Sequence, residues 1–278
     1  MLSLLLVTSG QIAGAASPRA IPERSDLSDS ADSTPGQVGG RIFGTGEKVK
    51  VKVLESESDF TSEIWLFAPN RKLIATDEDA GVVASIGRIA PAVELVFGIK
   101  VLDTGDTFYT GPAERNPDGR AHALVSDNGD GSYNVKVGFE DLPDESDDDF
   151  NDVLFKVSGV AQLKVKLDVR PRSKANRVNT QSRGALPIAI LGKPGMKARA
   201  VDVESLCFGS VRRPGSGDCT VRHGRGRLAD VNGDHRDDLV VRFDIQETQI
   251  QPCDRKACIV GRLKDGSRIV GCDTVQAR

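Results

Sequence analysis

Residues 133–157 read YNVKVGFEDLPDESDDDFNDVLFKV, and the two ends carry the same signature. Tyr133, Val135 and Val137 alternate with polar or small residues, and so do Val153, Phe155 and Val157. A period of two marks a strand with one buried face. Gly138 to Val153 is therefore a loop held at both ends by strands. From Glu140 to Asp152 eight of thirteen residues are carboxylates: Glu140, Asp141, Asp144, Glu145, Asp147, Asp148, Asp149 and Asp152. Charges this dense repel one another, and a compact loop needs raised pKa values or a bound cation. Oxygen donors without His or Cys suit calcium, with magnesium second. The plain alternative is a solvated acidic loop. Phe139, Leu142 and Phe150 argue against full solvation, because they should anchor part of the loop to a core.

The same period recurs outward along the chain. Val49, Val51 and Val53 alternate with lysines, and Ile64 to Phe67 and Leu95 to Val101 read as further strands. Trp65, the only tryptophan, reads as core or rim rather than as a platform for a ligand. Asn116-Pro117-Asp118-Gly119 is a turn signal. His122 follows in a strand over Ala121 to Val125 and reads as a structural hydrogen-bonder. Asp127-Asn128-Gly129-Asp130-Gly131 reads as a hairpin loop, with a second calcium loop as the lesser reading. Leu163, Val165, Leu167 and Val169 alternate strictly. Gly184 to Leu191 is a buried-strand run, in which Pro187 places the first residues at an edge or a strand start. Val240, Val241 and Phe243 form another strand, and Ala257 to Leu263 with Ser267 to Gly271 a final hairpin. Gly, Pro, Asn and Asp punctuate throughout, and no long helical stripe appears. The fold class is all-β, two β-sandwich-like domains in tandem.

Length and charge divide the chain in the same way. Its 278 residues give room for about two domains, and no apolar run is long enough to span a membrane. Residues 41–160 carry 23 acids and 12 bases, a balance of −11, and residues 161–278 carry 13 acids and 23 bases, a balance of +10. Leu2 to Val7 followed by Ala13-Gly14-Ala15-Ala16 reads as a signal peptide over 1–16. Residues 17–40, rich in Ser, Asp, Pro and Gly, read as a disordered leader. The domains expected are then 41–160, acidic, and 161–278, basic.

All five cysteines, Cys207, Cys219, Cys253, Cys258 and Cys272, fall in the basic half without a CxxC pair. Disulfides are the better reading than zinc. Cys258 and Cys272 flank the turn Asp265-Gly266 almost symmetrically, Cys207 and Cys219 would close a short loop, and Cys253 is left odd. An exchange between Cys253 and Cys258 stays open.

In the same half Asp230-Val231-Asn232-Gly233-Asp234-His235-Arg236-Asp237-Asp238 opens as D-x-N-x-D, with oxygen at alternate positions as a chain wrapping an ion requires. Asp230, Asn232, Asp234 and Asp238 are the candidate ligands. His235 stands where a calcium loop has Gly, and Val241 where an EF-hand has Glu. A strand rather than a helix follows, so the reading is a short calcium loop between strands. An Asn-Gly turn is the alternative. Arg222, Arg225, Arg227 and Arg242 form a possible anion-facing patch, or ordinary solvated surface.

FYTGPAERNPDGRAHALV, followed by YNVKVGFEDLPDESDDDFNDVLFKV, resembles the domain of unknown function family 4114, found in secreted bacterial proteins. The resemblance covers about 41–160, best from Glu94 onward, and implies a β-sandwich with calcium sites. Carried over residue by residue, it implies Glu140, Asp141, Asp149, Asn151 and Asp152 as ligands, with Asn116 and Asp118 as weaker candidates. Asp144, Glu145 and Ser146 depart from the glycines that relatives often carry. LDVRPRSKANRVN, GALPIAILG, VDVESLCFG and ADVNGDHRDDLVVRF resemble an uncharacterised C-terminal module of secreted bacterial proteins.

No GxSxG, HExxH, P-loop or dinucleotide fingerprint is present, and a loop so rich in acids suits a cation better than a general acid. The expectation is a secreted or cell-surface, non-catalytic calcium-binding protein that adheres to an envelope or matrix polysaccharide. It has no nucleic-acid partner. The alternatives are a purely structural calcium-stabilised spacer and a polysaccharide hydrolase using the loop carboxylates.

Overall fold

The computed structural model describes residues 36–128, 134–143, 148–212, 219–221 and 225–278. The signal peptide, most of the leader, Tyr133, Asp144, Glu145, Asp147 and Arg222 lie outside them, as does most of the loop Asp127–Gly131.

The strands of the first half are β1 (Gln37–Val38), β2 (Ile42–Gly44), β3 (Lys48–Val53), β4 (Ser62–Ala68), β5 (Lys72–Thr76), β6 (Val83–Arg88), β7 (Glu94–Val101), β8 (Thr107–Tyr109), β9 (Ala123–Asp127), β10 (Val135–Phe139), β11 (Val153–Ser158) and β12 (Val160–Ala161). One sheet runs β1-β9-β10-β11-β3-β6 and the other β12-β2-β7-β4-β5, with β8 on β7. Inward residues of both sheets share one core, among them Val49, Val51, Ile64, Leu66, Phe97, Ile99, Phe139 and Phe155. The alternation quoted above becomes alternating burial, most plainly in β3 and β11. Phe97 meets Phe155 at 5.4 Å between ring centroids. Each fully buried Phe contributes roughly 1.5–3 kcal/mol.

The expected leader extends to Gly40, but Gln37–Val38 pairs with β9. A Cβ on Gly36 would lie 2.6 Å from Leu124 and one on Gly40 2.6 Å from Val125. Close backbone approach, invisible in composition, makes this polar segment a strand.

The second half contains β13 (Leu163–Lys164), β14 (Lys166–Val169), β15 (Arg177–Val178), β16 (Ala185–Leu191), β17 (Val201–Ser210), β18 (Arg227–Ala229), β19 (Asp238–Asp244), β20 (Lys256–Leu263), β21 (Arg268–Thr274) and β22 (Gln276–Ala277). Its sheets run β13-β21-β20-β17 and β14-β16-β19-β18, with β15 pairing β22. Their facing residues share a second core that includes Leu186, Ile188, Phe208, Phe243 and Ile259. The alternation of Leu163 to Val169 is not one strand. Leu163–Lys164 pairs parallel with β21, and Lys166–Val169 pairs antiparallel with β16. The chain changes sheets at Val165, whose N–H donates to the Val270 carbonyl at 2.9 Å. Periodicity survives such a switch because both sheets face the same core. β16 is an interior strand, and Pro187 sits at its start, opposite Arg242 and beyond the last β14 pair.

Cys207–Cys219 and Cys258–Cys272 are disulfides, and Cys253 is free and exposed. The described residues belong to one compact unit. Phe43, Ala161, Val260 and Val270 form a small cluster of their own, drawn from both halves. No helix among the described residues is long and apolar enough to cross a membrane.

Candidate metal centre

Phe139 opposite Val153 is the last pair of the β10–β11 ladder, so residues 140–152 are the connection. Of the described loop residues, Asp148 and Asp149 are exposed, but the connection is buried at its start and again at Phe150. Glu140 is 3% and Asp141 2% exposed, and Phe150 is buried beside them. The Phe150 carbonyl crosses directly over Gly138, where a Cβ would lie 2.0 Å from it. Asp148 and Phe150 hold φ of 59° and 56°, a left-handed conformation rare for a bulky aromatic. The chain at Phe150 thus folds back over β10, with Glu140 and Asp141 buried beside it.

The Glu140 carboxylate accepts the Phe150 N–H, and Asp152 Oδ2 accepts the Asp141 N–H at 2.9 Å. Ser58 Oγ donates to Asp141 Oδ2. Burial, then the charges of Asp141 and Glu140, push the Asp152 carboxyl up to about 6. The backbone N–H of Asp141 opposes that rise. No Lys or Arg among the described residues pairs with Asp141 or Asp152.

Asp149 and Asn151 face outward. Asp149 Oδ1 accepts the Asn151 N–H at 3.1 Å, and the Asn151 side-chain amide donates to Asp149 Oδ2 at 2.8 Å and to Glu57 Oε2 at 3.1 Å. Sequence reasoning missed the strap that supplies these partners. Ser56 Oγ accepts the Leu154 N–H, the Glu57 N–H donates to the Asn151 carbonyl, and Ser58 reaches Asp141. Ser56-Glu57-Ser58 precedes the loop by more than eighty residues, and the only available signal was its polar composition between two strand patterns.

Asn116 and Asp118 spend their oxygens elsewhere. Buried Asn116 accepts the Tyr109 N–H at 2.7 Å and donates to the Arg120 carbonyl at 2.7 Å. Asp118 pairs with His122 Nε2 at 2.7 Å and accepts the Arg120 N–H. Burial opposes ionisation of Asp118, but these bonds hold its pKa below the ordinary value. His122, stacked on Phe108 at 3.9 Å, is the structural hydrogen-bonder expected.

The loop between β18 and β19 winds around its own backbone. Asp230 accepts the Gly233 and His235 N–H groups at 2.7 and 3.0 Å, Asn232 accepts that of Asp234, and Asp234 that of Arg236. His235 takes φ of 64°, the conformation for which calcium loops use Gly at that position. Asp238 is fully buried and accepts the Gly192 and Val231 N–H groups, both at 2.9 Å. Its charge contributes to a raised Asp168 pKa, after burial and the charge of Asp273. Arg227 and Arg242 lie exposed on neighbouring strands of that sheet.

These donors are oxygens throughout and suit a hard cation. A bound cation would offset the crowding of Asp152 against Asp141 and Glu140. Yet no three His, Cys, Asp or Glu side chains among the described residues are arranged to hold one ion. A cation here would bind one or two carboxylates and complete its shell with backbone carbonyls and water.

Residues 94–160, β7 to β12, match the family model of a domain of unknown function, DUF4114. No curated protein and no solved structure matches the chain.

Proposed function

We propose that this protein is a secreted or cell-surface, non-catalytic binding protein, stabilised by calcium and directed at an envelope or matrix polysaccharide. One observation carries the calcium reading: Asp141 and Asp152 are crowded together in a partly buried loop with no basic partner among the described residues. A divalent cation would neutralise them, fix the turn and tie β10 to β11, so stability would follow the extracellular calcium level. Two disulfides support an oxidising compartment.

A thermal melt of the full chain in EDTA and in millimolar calcium is the test. Calcium should raise the midpoint, and Asp141→Asn with Asp152→Asn should remove the part of the shift that belongs to the acidic loop. An identical melt in both buffers rejects the reading. The oxygens of Asn116, Asp118, Asp230 and Asn232 are engaged within the protein, which counts against these four as ligands. The alternative is a structural spacer, and a calcium shift with no retention on any glycan would select it.

A further inference from the structure

The chain is poor in aromatics, with ten Phe, two Tyr and one Trp, and their placement is uneven. The largest fully buried side chains are Phe97, Phe139, Phe155, Phe208 and Phe243. Trp65, expected in the core or at its rim, instead points away from it. In β4, Ile64 and Leu66 are buried and Trp65 and Phe67 alternate to the opposite, half-exposed face. Tyr109 does the same on β8, where Phe108 takes the inward position. Gly98 lies opposite both Trp65 and Tyr109. A Cβ there would lie 2.8 Å from the Phe67 ring, so the glycine lets that ring lie down on the sheet. Three rings result in a row, Trp65 to Phe67 at 6.1 Å and Phe67 to Tyr109 at 4.8 Å. Leu73, opposite Trp65 on β5, is 44% exposed.

The charges around the row are specific. The Arg71 guanidinium stands 4.9 Å from the Trp65 ring and 5.2 Å from Phe67. It makes no hydrogen bond or ion pair among the described residues. Its donor fork is thus held in place by the rings and uncommitted. Lys100, two residues from Gly98 on the same face, is exposed and equally uncommitted. Of the carboxylates on this face, Glu63 accepts the Trp65 ring N–H at 2.9 Å, fixes the indole and lies opposite Lys100 in the β4–β7 ladder, and Glu94 is already engaged by Arg41 and Arg115. Two available cations therefore flank a row of rings on a half that is otherwise strongly acidic.

We infer that the outer face of β4, β7 and β8 is a binding site for an anionic glycan, whose sugar rings stack on Trp65, Phe67 and Tyr109 and whose carboxylates meet Arg71 and Lys100. A specific protein interface buries roughly 1,000 Å² or more of total surface on a broad patch. Here the apolar surface is a narrow stripe bounded by charge, the shape of a polymer one ring wide. Rigid rings with polar edges give contact area at little entropic cost. The inference rests on the polysaccharide reading above, but not on calcium.

Trp65 is the only tryptophan, so its emission reports on this face alone. The experiment titrates the full chain with a galacturonate trisaccharide and with its uncharged methyl ester, by fluorescence and by calorimetry. The acid should shift Trp65 emission and bind about tenfold more tightly than the ester. Arg71→Gln should reduce that preference and Arg71→Gln with Lys100→Gln erase it, and Tyr109→Ala should weaken binding of both. These residues are at least partly exposed, so the variants should melt like wild type. Calorimetric binding with silent Trp65 emission and no effect of Arg71→Gln places the glycan elsewhere and overturns this site alone. Equal affinity for acid and ester overturns the charge assignment. No heat and no emission change with either sugar removes the site, while retention on some other glycan would keep the broader reading.

Discussion

Gly138 shows how much one residue decides. Any side chain there meets the Phe150 carbonyl, which is backbone and cannot swing aside. Gly138→Ala should therefore lower stability by about 1–3 kcal/mol in a urea melt. It should also displace the acidic turn, so the calcium response falls with it; an unperturbed melt would mean that the loop lifts freely. Glu94 gives the residue-scale pH dependence. Burial would raise its pKa, but hydrogen bonds from Arg41 and Arg115 outweigh that and hold it below the ordinary value. The folded state thus binds the proton less well than the unfolded state. The stabilisation is complete above the unfolded pKa and disappears as pH falls through the folded one. Glu94→Gln should flatten that acid limb of stability and leave the neutral-to-alkaline side parallel to wild type. Some residue-scale features were legible in sequence. His235 stands where a loop needs positive φ, and it adopts that conformation. The direction of Trp65 was misread, although Ile64 and Leu66 on either side had already claimed the core face. Which oxygen bonds which N–H was not, since Asp118 and Asp141 read alike in sequence and one serves a histidine while the other faces Asp152.

Strands were readable where a buried face alternates strictly, whereas β17, whose register shifts between Asp202 and Cys207, was not read. Lys48–Val53 and Val153–Ser158 write their burial in the sequence. The break at Val165 was not readable, because a chain can change sheets without changing the face it shows to the core. The strap at Ser56–Ser58 was equally hidden, since its partners are long-range and polar. In the β20–β21 hairpin Cys258 lies directly opposite Cys272, so symmetric spacing about a turn was a sound guide to pairing. This disulfide closes a loop with a sequence separation of 14. Cys258→Ser with Cys272→Ser should lower stability by about 3 kcal/mol on the loop-entropy account. A change in melting midpoint too small to resolve would show that the hairpin is already ordered in the unfolded ensemble.

At the scale of the whole molecule, the two cores meet through few groups. Phe43, Ala161, Val260 and Val270 supply the apolar contact. Arg268 approaches Glu47 at 3.9 Å, and burial lowers its pKa. Opposite net charge of the two halves was evident in composition, but which residues would touch was not. Val270→Ser removes one buried member of the cluster from the β21 face. It should split the calorimetric transition into two, or widen it, with little change in the transition of the acidic half. A single sharp transition in the variant would mean that the cores couple through the chain connection instead.

The β15–β22 pair, in which Arg177 faces Gln276 and Val178 faces Ala277, sets an order of events on the ribosome. The first half needs no residue beyond Ala161 to complete its two sheets. The second joins Leu163 to Ile269 and Arg177 to Gln276, so these pairings cannot close until those late residues emerge. Synthesis from the N-terminus therefore delivers the strands of the acidic half first and, behind them, a basic segment whose β13 and β15 still lack their partners. The window in which this protein is most vulnerable to misassembly lies between the making of β14 and the making of β22, and the acidic half, with its opposite charge, is the first surface that segment meets.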